Sequence, residues 1–174
     1  MAQIGIAPDA VDPAAVDEAP GKGELPAGHA ARLADEKAAA VRSRHRDAVI
    51  LAADTVVALG RRILPKAENE ETARRCLAML SGRRHKVICG LAVIGADGTE
   101  WRRLVTTSVK FKRLEANEID AYTASGEWNG KAGGYAIQGR AAALIPWIEG
   151  SYSNVVGLPL YETAQLLRAA GIGA

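Results

Sequence analysis

The sequence lacks most of the signatures that declare a protein's chemistry. It has two cysteines, Cys76 and Cys89, and they do not form a C-x-x-C pair. Cys76 falls on the apolar face of a helical pattern and Cys89 inside a strand pattern, so both read as reduced core residues rather than a disulfide, a metal site or a nucleophile. His29, His45 and His85 show no H-E-x-x-H or similar spacing, which argues against a histidine-bound metal. There is little excess charge of either sign: 22 basic and 20 acidic residues leave a net charge of +2. That balance speaks against a nucleic-acid or membrane-surface protein. No apolar run reaches the length of a membrane span, and the N-terminal residues carry no signal-peptide core, so the default expectation is a cytoplasmic protein with no membrane partner. Neither a P-loop nor a G-x-G-x-x-G fingerprint occurs, and no internal repeat or linker interrupts the chain.

What is present is a chain of 174 residues with 48% hydrophobic content, enough for one domain over 1–174 with a proper core. Its longest apolar run covers residues 49–59, with one carboxylate, Asp54, in the middle. Val, Ile and Leu in series without clean alternation read as a strand covered on both faces. A buried carboxylate there must be paired, hydrogen-bonded, bound to a metal or protonated. The alternative is that the strand ends near Ala53 and Asp54 opens a turn. Spacing alone leaves both readings open.

Residues 1–26 are rich in Ala, Pro, Asp and Gly, with room for one short extended piece over 3–11. Asp17 and Glu18 precede a Pro/Gly-rich loop, where acidic pairs are usually solvated. Residues 27–44 are expected to form a helix. Ala30, Leu33, Ala34, Lys37, Ala40 and Val41 share one face of it, with Lys37 the odd member. Lys37 either lays its stem over the core with its ammonium in water or points that charge into a site. After the Asp54 strand come a turn at 60–62, a short extension at Ile63 and Leu64, and a helix capped by Asn69 and stopped at Ser81-Gly82. Residues 85–96 and 99–114 are expected to be strands joined at Asp97-Gly98. In the second, Val105, Thr107, Val109 and Phe111 face one way, and Thr106, Ser108, Lys110 and Lys112 the other. A short helix over 116–125 leads to a Gly-rich loop, 127–139. A strand over 141–148, a loop over 149–154 and a last helix opened by Pro159 and closed by Gly171 complete the pattern. Strands alternating with helices around a central hairpin predict a mixed α/β domain with its site in a cleft at the strand ends.

Several short motifs then occur in a specific order over nearly the whole chain. They are Asp17-Glu18, Arg32-Leu33-Ala34-Asp35-Glu36-Lys37-Ala38, Ala53-Asp54-Thr55-Val56-Val57, Leu64-Pro65-Lys66, Leu80-Ser81-Gly82, and Lys131-Ala132-Gly133-Gly134-Tyr135-Ala136-Ile137-Gln138-Gly139. Gly150-Ser151-Tyr152 and the stretch from Val155 to Thr163 complete the set. On these the chain resembles the Maf family of nucleoside triphosphate pyrophosphatases, and Tyr135 to Gly139 is similar to the branch acting on dTTP and UTP. The resemblance implies a two-lobed mixed α/β fold, Maf-like or inosine triphosphatase-like, with a central cleft and an assembly that is often dimeric. It implies hydrolysis of a nucleoside triphosphate between the α and β phosphates, with a Mg²⁺ or Mn²⁺ ion as cofactor. Carried over residue by residue, Asp54 matches the family's proton acceptor, and Glu18 and Asp54 are the acids to place around the metal. Lys37 and Lys66 match cations that meet the phosphates. Thr55 and Gln138 match positions tied to base choice, where an amide can pair with a pyrimidine edge through donor and acceptor.

The resemblance also carries departures. Family members usually open with a strand and a Ser-x-Ser-Pro-Arg-Arg segment, whereas Met1-Ala2-Gln3-Ile4-Gly5 resembles the tail of the helix behind it. Without the strand an apolar sheet edge is expected to be exposed, and without the arginines triphosphate binding should weaken. Pro65-Lys66-Ala67 stands where a Gly-Lys-Pro-like turn is usual, which would shift Lys66. Besides an active pyrimidine nucleotide pyrophosphatase, two other functions remain to be weighed. One is a catalytically weak paralogue that binds nucleotide or a protein partner. The other is a nucleic-acid binder using Lys110, Lys112 and the arginine pairs, against which the near-neutral charge argues.

Overall fold

The computed structural model describes residues 1–173. Its frame is one antiparallel sheet in the order β2-β1-β3-β4-β5, formed by β1 (Ile50–Leu59), β2 (Arg62–Leu64), β3 (Arg84–Ile94), β4 (Glu100–Lys110) and β5 (Trp147–Glu149). Helices α1 (Pro26–Arg42), α2 (Glu70–Leu80), α3 (Ala116–Ala124), α4 (Tyr152–Val156) and α5 (Leu160–Ala169) cover it. This is the mixed α/β fold expected from the sequence. Among the described residues no helix is long and apolar enough to cross a membrane.

β1 runs straight through Asp54, so the residue does not open a turn. Both faces of the strand are covered, yet unequally. Ile50, Ala52, Asp54, Val56 and Ala58 are buried, while Leu51, Ala53 and Thr55 are half-buried. The first set lies under α1. Ala34 and Ala38 pack with Ile50, Ala52, Ala92 and Ile94, and Ala30 packs with Val56, Ala58 and Ile88. Small side chains bring the helix close, and the closest approach is at Gly90, the partner of Asp54 in the β1–β3 ladder. A Cβ on Gly90 would lie 2.2 Å from the Ala30 carbonyl oxygen.

The opposite face carries two core regions. Leu166 and Leu167 of α5 pack on Cys89, Leu91 and Val93. Further along, Cys76, Leu77 and Leu80 of α2 join Val57, Val87, Val109, Phe111, Tyr122 and Tyr135. Asn69 caps α2 by accepting from the Thr72 amide at 2.8 Å, a contact worth about 1 kcal/mol. Thr55 lies on this second face and Asp54 on the first. β2 pairs with β1 only at Val57, Ala58 and Leu59. From Ile50 to Val56, β3 is the one neighbouring strand among the described residues, and the other edge of β1 is open.

Three expectations need correction. The strand over 141–148 is instead a 3₁₀ segment, Arg140–Leu144, followed by the short β5. A run of three alanines has no period, and the turn is fixed by Arg140 N donating to Glu127 Oε2 at 2.7 Å and Ala142 N to the Gly139 carbonyl at 3.0 Å. The loop over 149–154 contains the start of α4, because the Ser151 hydroxyl accepts from the Asn154 amide and caps it. In place of an extended piece at 3–11, Ala2–Ile4 forms a 3₁₀ turn closed by Gly5 at φ 70°. The basic patch is also diluted: Lys112 pairs with Glu118 at 2.6 Å, and Arg102 with Asp35 and Glu100.

Candidate active site

Four side chains from four separate stretches form one continuous chain of ion pairs. Asp54 Oδ1 accepts from Lys37 Nζ at 2.7 Å, Lys37 Nζ meets Glu18 Oε1 at 2.6 Å, and Glu18 Oε2 meets Lys66 Nζ. Asp54 is the buried end, at 7% exposure, and Lys66 the exposed end. Of the two readings of Lys37, the structure therefore shows the one in which its charge points inward. The two acids at 17 and 18 divide: Asp17 takes the Ala19 amide at 2.9 Å and shapes the loop, while Glu18 turns in.

Each member is placed by its own local logic. Lys37 lies two helical turns beyond Ala30, on the face that the Gly90 contact draws down over the sheet. Glu18 sits on a segment without regular structure, pinned at both ends. Arg44 and His45 hold Asp12 at 2.9 and 2.8 Å. Glu24 accepts from Arg32 Nε at 2.7 Å and the Gly21 amide at 2.8 Å, and pairs with His29 at 2.9 Å. Arg32 also donates to the carbonyl of Ala19, next to Glu18. Lys66 is held by a short backbone ladder to the Gly-rich loop: Gly130 N to Ala67 O, Ala67 N to Lys131 O and Gly133 N to Pro65 O, at 2.8 to 3.0 Å. Gly133 has φ 69°, and a Cβ there would strike Val57 at 2.8 Å. The glycines thus seat this loop against β1 and so set Lys66.

The ionic groups bias one another. Hydrogen bonds from Lys37 and then Lys66 bring the Glu18 carboxyl down to about 2. Lys37 is opposed by burial, yet its bonds to Asp54 and Glu18 hold its ammonium above the usual lysine value. Glu18 and Lys37 are therefore both charged near neutrality.

The second wall lies across the open edge of β1. Thr55 donates to the Gly157 carbonyl at 3.2 Å. With Tyr135, Ala136, Gln138, Val155 and Val156 it lines a cavity of about 250 Å³ that also reaches Lys37, Asp54 and Lys66. An adjoining cavity of about 410 Å³ is lined by Glu18, Asp54, Lys66 and His29 among others. All six residues singled out in the sequence thus converge on one cleft. Sequence reasoning missed the anchors Arg32, Glu24 and Asp12, and also Tyr122 and His85. Only Arg32 had a signal, as part of the motif containing Lys37.

A divalent cation fits this donor set. The Lys37 ammonium already occupies a point shared by one oxygen of Glu18 and one of Asp54. Mg²⁺ is commonly held by one or two carboxylates with substrate phosphates rather than by an all-protein cage.

A cleft with acidic oxygens, two ammonium groups and an apolar, amide-bearing wall has the chemistry to hold a polyphosphate ester. The sequence pattern of the family described as Maf-like protein matches residues 1–170, and the chain belongs to that family. It is 65% identical over 171 residues to the dTTP/UTP pyrophosphatase of Paramagnetospirillum magneticum, covering 98% of this chain and 90% of that one. Identity is 59% to the protein of the same description from Rhodospirillum rubrum, with 98% and 81% covered. For that of Caulobacter vibrioides it is 57%, with 98% and 89% covered.

Proposed function

We propose that this chain hydrolyses dTTP and UTP to the monophosphate and pyrophosphate, as a pyrophosphatase that clears nucleotide pools. The observation that carries the reading is the ion-pair chain Lys66–Glu18–Lys37–Asp54 lining a cleft with Thr55 and Gln138 on its other wall. The names of the relatives, dTTP/UTP pyrophosphatase, support the substrate class.

Asp54 is the proton acceptor. Its Oδ1 is engaged by Lys37, which leaves Oδ2 to take a proton from the water attacking the α phosphorus. The bond from that phosphorus to the α–β bridging oxygen breaks, and the electron pair leaves on pyrophosphate. Lys37 and Lys66 stabilise the charge that develops there. A Mg²⁺ or Mn²⁺ ion held by Glu18 and Asp54 would neutralise phosphate oxygens and favour attack. Thr55 and Gln138 select the base, the Gln138 amide meeting a pyrimidine edge with one donor and one acceptor. The setting is the cytoplasm, the partner is a nucleotide rather than a nucleic acid, and a homodimer is the assembly that the family resemblance implies.

The test is pyrophosphate release from dTTP and UTP with Mg²⁺, with Asp54→Asn as the blank. Release that falls by about 10² to 10⁴ in the variant is expected. Equal rates in both proteins would overturn the role of Asp54. No release from folded wild-type chain would favour the nucleotide-binding, catalytically weak paralogue.

A further inference from the structure

One buried polar pair has no part in the chemistry above. His85, 2% exposed, shares a hydrogen bond of 2.7 Å between its Nε2 and the Tyr135 hydroxyl, inside an otherwise apolar cluster. Phe111 completes a three-ring group, with centroids 5.1 Å from Tyr135 and 5.8 Å from His85. His85 Nδ1 is buried without a partner. Burying an imidazole and a phenol costs free energy that a Phe–Leu pair would avoid, so the pair calls for a reason other than packing.

The next residue supplies one. The Ala136 amide donates to the Tyr122 hydroxyl of α3 at 3.0 Å. The Ala136 carbonyl accepts from Gly139 N at 3.1 Å, closing a four-residue turn with Gln138 at its third position. On the far side, Glu127 takes the Arg140 amide at 2.7 Å. Gln138 itself is exposed in the cleft, yet the turn that carries it is held on one side by side chains from β3 and α3 and on the other by Glu127 of the loop after α3.

We propose that His85 and Tyr122 are positioning residues for base selection: acting through Tyr135 and the Ala136 amide, they fix the turn from which Gln138 presents its amide to the nucleobase. The inference rests on the reading of Gln138 as a base-contacting residue. A side chain on a loose loop adapts its donor and acceptor to either kind of base edge. One on a clamped turn meets a single pattern and leaves a mismatched partner unpaired.

The readout is the ratio of kcat/KM for UTP over GTP, measured in Tyr122→Phe and His85→Gln, each alone and in a Gln138→Ala background. Tyr122→Phe removes a single oxygen, and its melting temperature is compared with wild type to set aside misfolding. The ratio is expected to fall about tenfold in each single variant, mainly through KM for UTP, and to show no further fall once Gln138 is alanine. An unchanged ratio in the folded single variants would overturn the proposal. So would a fall of the same size in the Gln138→Ala background, which would mean that the clamp acts elsewhere. A wild-type chain with no pyrimidine preference would refute the role of Gln138 itself and this inference with it. A wild type with the preference and unmoved variants would refute this inference alone. Should the chain bind without turnover, the same ratio is read from the dissociation constants of α,β-methylene UTP and GTP analogues.

Discussion

The two walls of the cleft are built by opposite means. The wall proposed to meet phosphate is ionic, and its acid Glu18 sits on a segment with no regular structure, tied down by Asp12 and Glu24 at its ends. The wall proposed to meet the base is held by neutral hydrogen bonds buried in an aromatic cluster, with Gln138 exposed on a clamped turn. Charge tolerates imprecision, because Coulomb attraction falls slowly with distance. Base reading depends on hydrogen-bond angles and does not tolerate it. The rigid wall therefore belongs where discrimination is made.

The strongest break of the contrast is Lys37→Met. It removes a phosphate-facing charge and leaves Asp54 buried without its cation. Pyrophosphate release should fall by about 10² to 10³, and denaturant unfolding should show a loss of about 3 kcal/mol. Adding Asp54→Asn should restore most of that stability and none of the activity, which separates the two effects. Gly90→Ala comes next. A methyl group against the Ala30 carbonyl lifts α1 and with it Lys37, at about 2 kcal/mol of stability and with a larger loss of turnover for UTP than of its binding.

Acid pH should sharpen the comparison by loosening the walls in different windows. Burial brings His85 down to about 4 from 6.5. Its folded-state value lies below the unfolded one, so the stability tied to its neutral form is complete above pH 6.5 and is lost as pH falls toward 4. The full loss is on the order of 3 kcal/mol. Glu18, brought down to about 2 from 4.5 by Lys37 and Lys66, loses its contribution only between pH 4.5 and 2. Amide exchange at Ala136 should therefore accelerate at a higher pH than exchange around Glu18. The reverse order would mean that the clamp is not the acid-sensitive element. The smallest effect belongs to Glu18→Gln. It unpairs Lys66 and leaves Lys37 with Asp54 alone in a partly exposed setting, so stability should change by less than about 1 kcal/mol, while Mg²⁺ affinity, read by titration, weakens about tenfold.

Much of this was legible in order along the chain. The helical period of Ala30, Leu33, Ala34 and Lys37 placed α1. Asn69 and Ser81-Gly82 bounded α2, Asp97-Gly98 marked the hairpin, and a carboxylate in the longest apolar run gave a candidate that spacing alone left open between a turn and a site. What was not legible depends on partners distant in sequence. The Ala141–Ala142–Ala143 run has no period, so nothing local opposes a strand, and the Glu127 contact that bends it comes from 13 residues away. His85 and Tyr135 are 50 residues apart, and neither carries a mark of the other. Gly90 reads as an ordinary strand glycine until α1 is laid on it.

Asp54 and Thr55 are consecutive residues of one strand, and successive side chains of a strand point to opposite faces. The acid proposed to activate water and the hydroxyl proposed for the base-selecting side are thus set by a single register. A slip of β1 against β3 by one residue would exchange their faces and carry both into the wrong wall. Reactivity and discrimination in this cleft are therefore not independent properties to be adjusted one at a time. They are two readings of the same pairing, fixed or lost together when that strand finds its place.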